Sequence, residues 1–254
     1  MNLLLLKIKS ISAVLYYCGI AHLLLFVILI VAAQFDHRQL LGINLWVKPI
    51  KFAISIGIYC LTWPLILQYL PFKTAANNFA AFTAFTLSVE MICIASQAAR
   101  GQLSHFNTHG TYNIIVFALM GVFIFLQTAY SLYIGYLFFK VDGSTMSASL
   151  LWGIRLGILM TVLFALQGGV MASRLSHTVG TADGGKGWPL VNWSRTAGDL
   201  RISHFLGLHA LQLLPLFAFY VSPGSVKGTI AFSAAYLIIV ASIFYNALLG
   251  NPLF

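Results

Sequence analysis

Charge is scarce in this sequence. Only 7% of its 254 residues are Asp, Glu, Lys or Arg, against about 25% in a typical soluble domain, and just five are acidic. So few charges cannot clothe a soluble core. With 60% hydrophobic side chains and a mean hydropathy of +0.91, the chain reads as an all-α, polytopic integral membrane protein whose main partner is the lipid bilayer. Cysteine is sparse as well. Cys18, Cys60 and Cys93 each sit inside an apolar run, with no paired spacing and no soluble domain to staple, so they read as packed thiols. The nucleotide and zinc-protease phrases GxGxxG, GxxxxGK[ST] and HExxH are missing, and Gly184 and Gly185 do not make a phosphate loop. A net charge of +9 does not imply nucleic acid as a partner, because the basic residues lie singly between apolar runs and form no continuous patch.

What is abundant is long apolar runs. A helix needs roughly 20 apolar residues to cross a hydrocarbon core about 30 Å thick, and seven runs meet that length: Ile11–Ala33, Ile50–Leu70, Phe79–Ala99, Tyr112–Phe139, Ala148–Ala172, Ile202–Val221 and Thr229–Leu249. They predict a single seven-span membrane domain. The first run ends VAAQF, as a signal peptide does, but is longer than the usual apolar segment of about 7–15 residues and is read as a span. Kinks are expected at Pro64 and Pro215. Trp46 with Lys48 and Lys51 reads as an interfacial anchor, Arg155 as a snorkelling residue, and the long polar segment Ser173 to Arg201 as an interfacial lid or re-entrant loop.

Because spans alternate in direction, Arg38, Lys48, Lys51, Arg100, Arg174, Lys186, Arg195 and Arg201 share one side with the C-terminus, against Lys7, Lys9, Lys73, Lys140 and Lys227 on the other. The positive-inside rule then predicts an inner-membrane protein with its N-terminus outside and its C-terminus cytoplasmic. Every histidine except His22 falls on or just inside the C-terminal side. Three share the phrases LSHF (Leu103–Phe106), LSH (Leu175–His177) and ISHF (Ile202–Phe205), a possible trace of duplication.

Polar chemistry is concentrated in RGQLSHFNTHG, Arg100 to Gly110. Glu90, the only acid well inside an expected span, lies above it on a helix stripe with Ile94 and Gln97. At a rise of about 1.5 Å per residue, Glu90 and His209 both lie roughly 10–14 Å deep. The expected site is a funnel lined by Arg100, His105, His109, Arg201 and His204, with Glu90, His209 and Gln212 at its base. In it Glu90, Ser104 and His209 are the candidate catalytic groups. Arg100, Asn107, Arg201, Gln97 and Gln212 are the candidate contacts to a substrate or anion, and His105, His109, His204 and His209 the candidate metal or haem ligands. Imidazoles with a carboxylate suit zinc or iron, and a histidine pair suits haem b. The sequence leaves three readings open: a metal or haem protein acting on a lipid-soluble small molecule, a proton-coupled carrier using Glu90 and His209, and a sensor or assembly factor without chemistry.

The phrases QAARGQLSHFN (Gln97–Asn107), GLHALQLLPL (Gly207–Leu216) and WVKPIKF (Trp46–Phe52) resemble those of a bacterial group of seven-span membrane proteins of uncharacterised activity, and the resemblance implies the fold alone. Ser104 with His105, and His204 with His209, are faintly similar to the Ser, Asp and three-His sites of seven-span zinc hydrolases related to alkaline ceramidases and progestin-type receptors. The terminal-span histidines of that family have no counterpart here.

Overall fold

In a hydrocarbon layer no water satisfies a bare N–H or C=O, so a chain this apolar must close its backbone hydrogen bonds within helices. The computed structural model, which describes residues 3–185, 187–189 and 191–253, does so: helix makes up 72% of the protein, and sheet among the described residues is limited to two short ladders. The helices are α1 (Leu3–Ile11), α2 (Ala13–Phe35), α3 (Val47–Leu67), α4 (Lys73–Ala99), α5 (Thr111–Phe139), α6 (Ala148–Arg174), α7 (Leu200–Leu208), α8 (Ala210–Tyr220) and α9 (Val226–Leu248). Among the described residues, α2, α3, α4, α5, α6 and α9 are each long and apolar enough to cross a membrane. The bent pair α7–α8 makes a seventh span if counted as one.

Boundaries follow local chemistry more than hydropathy. Ser12, Ser147 and Ser225 cap α2, α6 and α9, each accepting the backbone N–H of the residue three positions on. Ser12 thereby separates the short α1 from the first span. Helix α4 begins six residues before its apolar run, because the polar KTAANN segment after Pro71 is helix-compatible without being hydrophobic. Pro64 does not break α3: the helix ends at Leu67, three residues further on.

Packing divides the chain into two compact units, Met1–Tyr130 and Ser131–Phe254. In the first, α2 and α3 meet along a seam of small residues. A Cβ on Gly57 would lie 2.7 Å from the Leu23 side chain and 3.3 Å from the Gly19 carbonyl oxygen. Helix α4 is clamped to α5 at two heights. Gln127 donates to Thr83 Oγ1 (2.9 Å) and accepts from Thr86 Oγ1 (3.3 Å), while Gln97 donates to Asn113 Oδ1 (2.9 Å). Between α2 and α3 a small hairpin pairs β1 (Gln39–Leu40) with β2 (Ile43–Asn44). Leu41 and Gly42 both take positive φ, the mark of a tight primed turn. The Trp46 indole donates to Asp36 (3.0 Å), so the residue expected as a general interfacial anchor has a specific partner. Arg38 bonds Asp36 and the Ala99 carbonyl.

In the second unit, α6 packs on α8 through Gly153 and Gly157, which face Ala218, Leu214 and Ala210 at distances that leave no space for a side chain. The α7–α8 pair bends by 44° at His209, six residues before Pro215, which lies inside α8. Neighbouring helices supply donors at the bend: Thr161 of α6 donates to Leu208 O (3.2 Å), and Tyr236 of α9 to Leu206 O (2.7 Å), which also accepts the His209 N–H. Arg155, expected to snorkel, has specific partners. It donates to the Phe138 and Val141 carbonyls and so caps the end of α5.

The polar segment after α6 is a folded loop. Strand β3 (Thr178–Val179) pairs with β4 (Gly198–Asp199), and the Asp183 carboxylate gathers the chain, accepting from Ser176 Oγ, the His177 ring, Thr178 Oγ1 and the backbone N–H groups of His177 and Thr178. Lys186 falls outside the described residues. The three Ser-His phrases take three different conformations, a bend, a helix exit and a helix interior.

Two predictions follow from these contacts. Gly57→Leu overpacks the α2–α3 seam and lowers stability by roughly 1–3 kcal/mol, read as a lower Tm in detergent. Gly121→Leu, where a Cβ meets nothing within 4 Å among the described residues, leaves Tm unchanged. Burial pushes the Asp183 carboxyl up, but the hydrogen bonds from His177 and Thr178 outweigh it and hold the group well below the usual carboxylate range. A lowered folded value means its stabilisation is fully present above the unfolded value of about 3.9 and is lost as pH falls below it. Asp183→Asn should therefore lower Tm near neutrality and flatten the acid limb of Tm against pH.

Candidate functional site

Helix α4 carries Glu90 into the first unit with 2% of its surface exposed. An intramembrane carboxylate needs a partner, and the nearest is unexpected. From the sequence, His105 would sit toward the interface, well above Glu90. Instead the 101–110 segment dips back into its unit. Gly101 and Phe106 take positive φ (67° and 60°), which reverses the chain on either side of Ser104 and His105. Ser104 and Asn107 are buried. His105 Nε2 thereby reaches 3.5 Å from Glu90 Oε1, and His105 Nδ1 lies 3.1 Å from Ser104 Oγ. Hydroxyl, imidazole and carboxylate stand in one line.

The surroundings fix that line. Phe52, Phe106 and Phe117 pack around the His105 ring at 5.8, 6.1 and 6.3 Å between centroids, limiting its rotation. Lys48, in the first turn of α3, is close enough for its charge to act on Glu90. Glu90 Oε2 is buried without a hydrogen-bond partner among the described residues. Asn107 shapes the loop, donating to Gln102 Oε1 and Leu103 O and accepting from the His109 N–H.

At the mouth of the dip, Arg100 donates to Gln97 Oε1 (2.8 Å) and lies over the Tyr112 ring, 4.1 Å from its centroid. Gln97 also donates to Asn113, whose own side-chain NH2 donates to His109 O (2.7 Å). Arg100 and His109 themselves are exposed.

The remaining expected residues belong to the second unit. Arg201 is ion-paired with buried Asp199 at 2.5 Å and also donates to Asn192 O. His204 uses Nδ1 on Phe164 O (2.6 Å), His209 uses Nδ1 on Phe205 O (2.7 Å) at the bend, and Gln212 is half-buried one turn later. Among the described residues, no three His, Cys, Asp or Glu side chains converge so as to hold a metal ion.

Sequence reasoning missed Lys48, Asn113 and Asp199. Lys48 was visible only as a membrane flank. Asn113, sixteen residues from Gln97, carried no local signal. Asp199 carried one, since an Asp two residues before an Arg at a helix start fits an N-cap. His22, expected as a packed residue, bonds the Cys18 carbonyl of its own helix (2.8 Å). Compared with known proteins, the chain matches no family model, no curated protein and no solved structure.

Proposed function

We propose that the chain is a proton-coupled carrier of small solutes in a bacterial inner membrane, and that the line Ser104–His105–Glu90 exchanges its protons. The observation that carries this reading is the buried Glu90 carboxyl, with one oxygen 3.5 Å from His105 Nε2 and the other without a hydrogen-bond partner among the described residues. A proton moving between the carboxyl and the imidazole converts a neutral pair to an ion pair without changing net charge, so the exchange avoids the cost of leaving one isolated charge in the membrane. An imidazole with both ring nitrogens engaged can take a proton on one while releasing it from the other. Ser104 stands on the loop side of that ring and Glu90 on the membrane side.

In the orientation favoured by the positive-inside rule, the loop after α4 faces the cytoplasm and protons enter Glu90 from there. Exposed Arg100 at the mouth and Lys48 further in favour an anionic solute. This reading keeps Glu90 from the carrier expected from the sequence and substitutes His105 for His209 as its partner.

One observation favours a second reading. Ser104 Oγ at 3.1 Å from His105, with Glu90 behind the ring, has the order of a nucleophile, base and orienting acid, which fits an enzyme acting on a lipid-soluble ester. The two ring nitrogens are exchanged relative to the usual serine-hydrolase arrangement.

The carrier reading is tested with the purified chain in sealed liposomes that trap a pH-sensitive dye, to which small carboxylate and phosphate solutes are added singly. At least one solute should change the internal pH. Glu90→Gln should slow that change ~100-fold and His105→Gln ~10-fold, in the range expected for loss of positioned proton-transfer groups. A panel in which no solute moves protons, or a flux untouched by Glu90→Gln, rejects it. For the second reading, a fluorophosphonate probe should label wild-type protein at Ser104 and not Ser104→Ala; an unlabelled wild type rejects that chemistry.

A further inference from the structure

A second group of reactive side chains lies in the first unit, on helices α2, α3 and α4, and the proton line does not use it. Cys18 of α2 and Cys60 of α3 bring their sulfurs to 3.7 Å across the small-residue seam, and the Cys60 thiol donates to Cys18 Sγ. Both are free thiols, Cys60 buried and Cys18 partly accessible. Around Cys18 Sγ stand His22 Nδ1 at 3.6 Å, Ser88 Oγ at 3.9 Å and the Ala84 carbonyl oxygen at 3.9 Å. His22 Nδ1 also lies 2.8 Å from the Cys18 carbonyl oxygen, which makes it an N–H donor that Cys18 Sγ can share as its proton leaves.

The seam explains the approach. Gly19 and Gly57 bring the α2 and α3 backbones together one residue beyond Cys18 and three before Cys60. A disulfide needs the sulfurs at about 2.05 Å, so closure asks for side-chain rotation toward a neighbour already in van der Waals contact.

We infer that Cys18 and Cys60 are a redox-active dithiol within the membrane, closed to a disulfide by a lipid-soluble two-electron oxidant of the quinone class. The site lies inside two membrane-spanning helices, about five and seven residues from their nearer ends, or roughly 8–10 Å deep. A quinone dissolved in lipid reaches that depth. In the overall step both S–H bonds break and one S–S bond forms. The thiols are oxidised, and their two electrons and two protons pass to the quinone, which leaves as the quinol with two new O–H bonds. Cys93, on α4 in a separate apolar cluster with Ile94, Val116 and Met120, takes no part. The inference is independent of the carrier reading, since it uses no residue of the proton line.

The test treats reduced, purified wild-type protein in detergent with ubiquinone-1, a fully substituted benzoquinone, followed by denaturation, alkylation and peptide mass mapping. The expected result is loss of two of the three alkylatable thiols, a peptide pair joined through Cys18 and Cys60, and full recovery with dithiothreitol. Cys18→Ser and Cys60→Ser should each keep both remaining thiols, and Glu90→Gln should close like wild type. Three alkylatable thiols after treatment, a crosslink through Cys93, or a quinone adduct in place of the crosslink overturns the inference. If a serine variant fails to fold, the wild-type peptide map decides alone.

Discussion

Every polar group placed in the hydrocarbon layer must find its partner inside the protein, because lipid offers none. That constraint accounts for the least regular features of this fold. The bend at His209 is supported by Tyr236 and Thr161, which donate to the Leu206 and Leu208 carbonyls beside it. Arg155, an expensive charge in a span, donates to the Phe138 and Val141 carbonyls at and just past the end of α5, where helix carbonyls run short of intrahelical donors. The Gln127 and Gln97 amides join α4 to α5, where apolar surface alone gives little preference for a helix over lipid.

The spans were legible because composition and length decide them: an apolar run long enough to cross hydrocarbon can do little else. Their ends were less so, since Ser12 and Ser225 set caps, and the polar KTAANN segment extends α4, without a hydropathy signal. The bend was misplaced because Pro215 is a local signal, while the donors that permit a break at His209 come from α6 and α9, far away in sequence. For the site, Glu90 and the RGQLSHFNTHG loop stood out because polar residues are so rare here. What the sequence hid was the direction of that loop. The reversal at Phe106, a bulky residue in a left-handed conformation, has no residue-type signature, and it is what carries His105 to Glu90.

Arginine in this chain shows how partners decide roles. Arg100 and Arg201 look alike in sequence, each following a small or turn-forming stretch and preceding a Ser-His phrase. Arg201 is neutralised by buried Asp199 and tied to Asn192, so it serves to fix the loop before α7. Arg100, at an exposed position, has amide and aromatic contacts, Gln97, Asn113 and Tyr112, and no carboxylate beside it among the described residues. A guanidinium without a carboxylate attracts anions at a distance, whereas a paired one contributes little field.

Helix α4 holds these features together. Thr83, Thr86 and Gln97 bond to α5, Ser88 approaches Cys18 of α2, and Glu90 meets His105 and the charge of Lys48. A helix with polar groups on several faces cannot rotate or slide without leaving some of them unpaired, so its register is specified by hydrogen bonds as well as by apolar packing. One polar atom in this set is not matched: Glu90 Oε2 has no hydrogen-bond partner among the described residues. In a unit whose other polar contacts fix α4 so firmly, relaxation of the helix offers no easy way to satisfy that oxygen. A proton on the carboxyl lowers the cost of the mismatch, because a neutral acid is far cheaper to bury than a charge. An anionic solute bound beside that carboxyl favours the neutral acid further, because like charges oppose ionisation. Binding such a solute therefore favours proton uptake, and that linkage between occupancy and protonation is what a proton-coupled carrier requires.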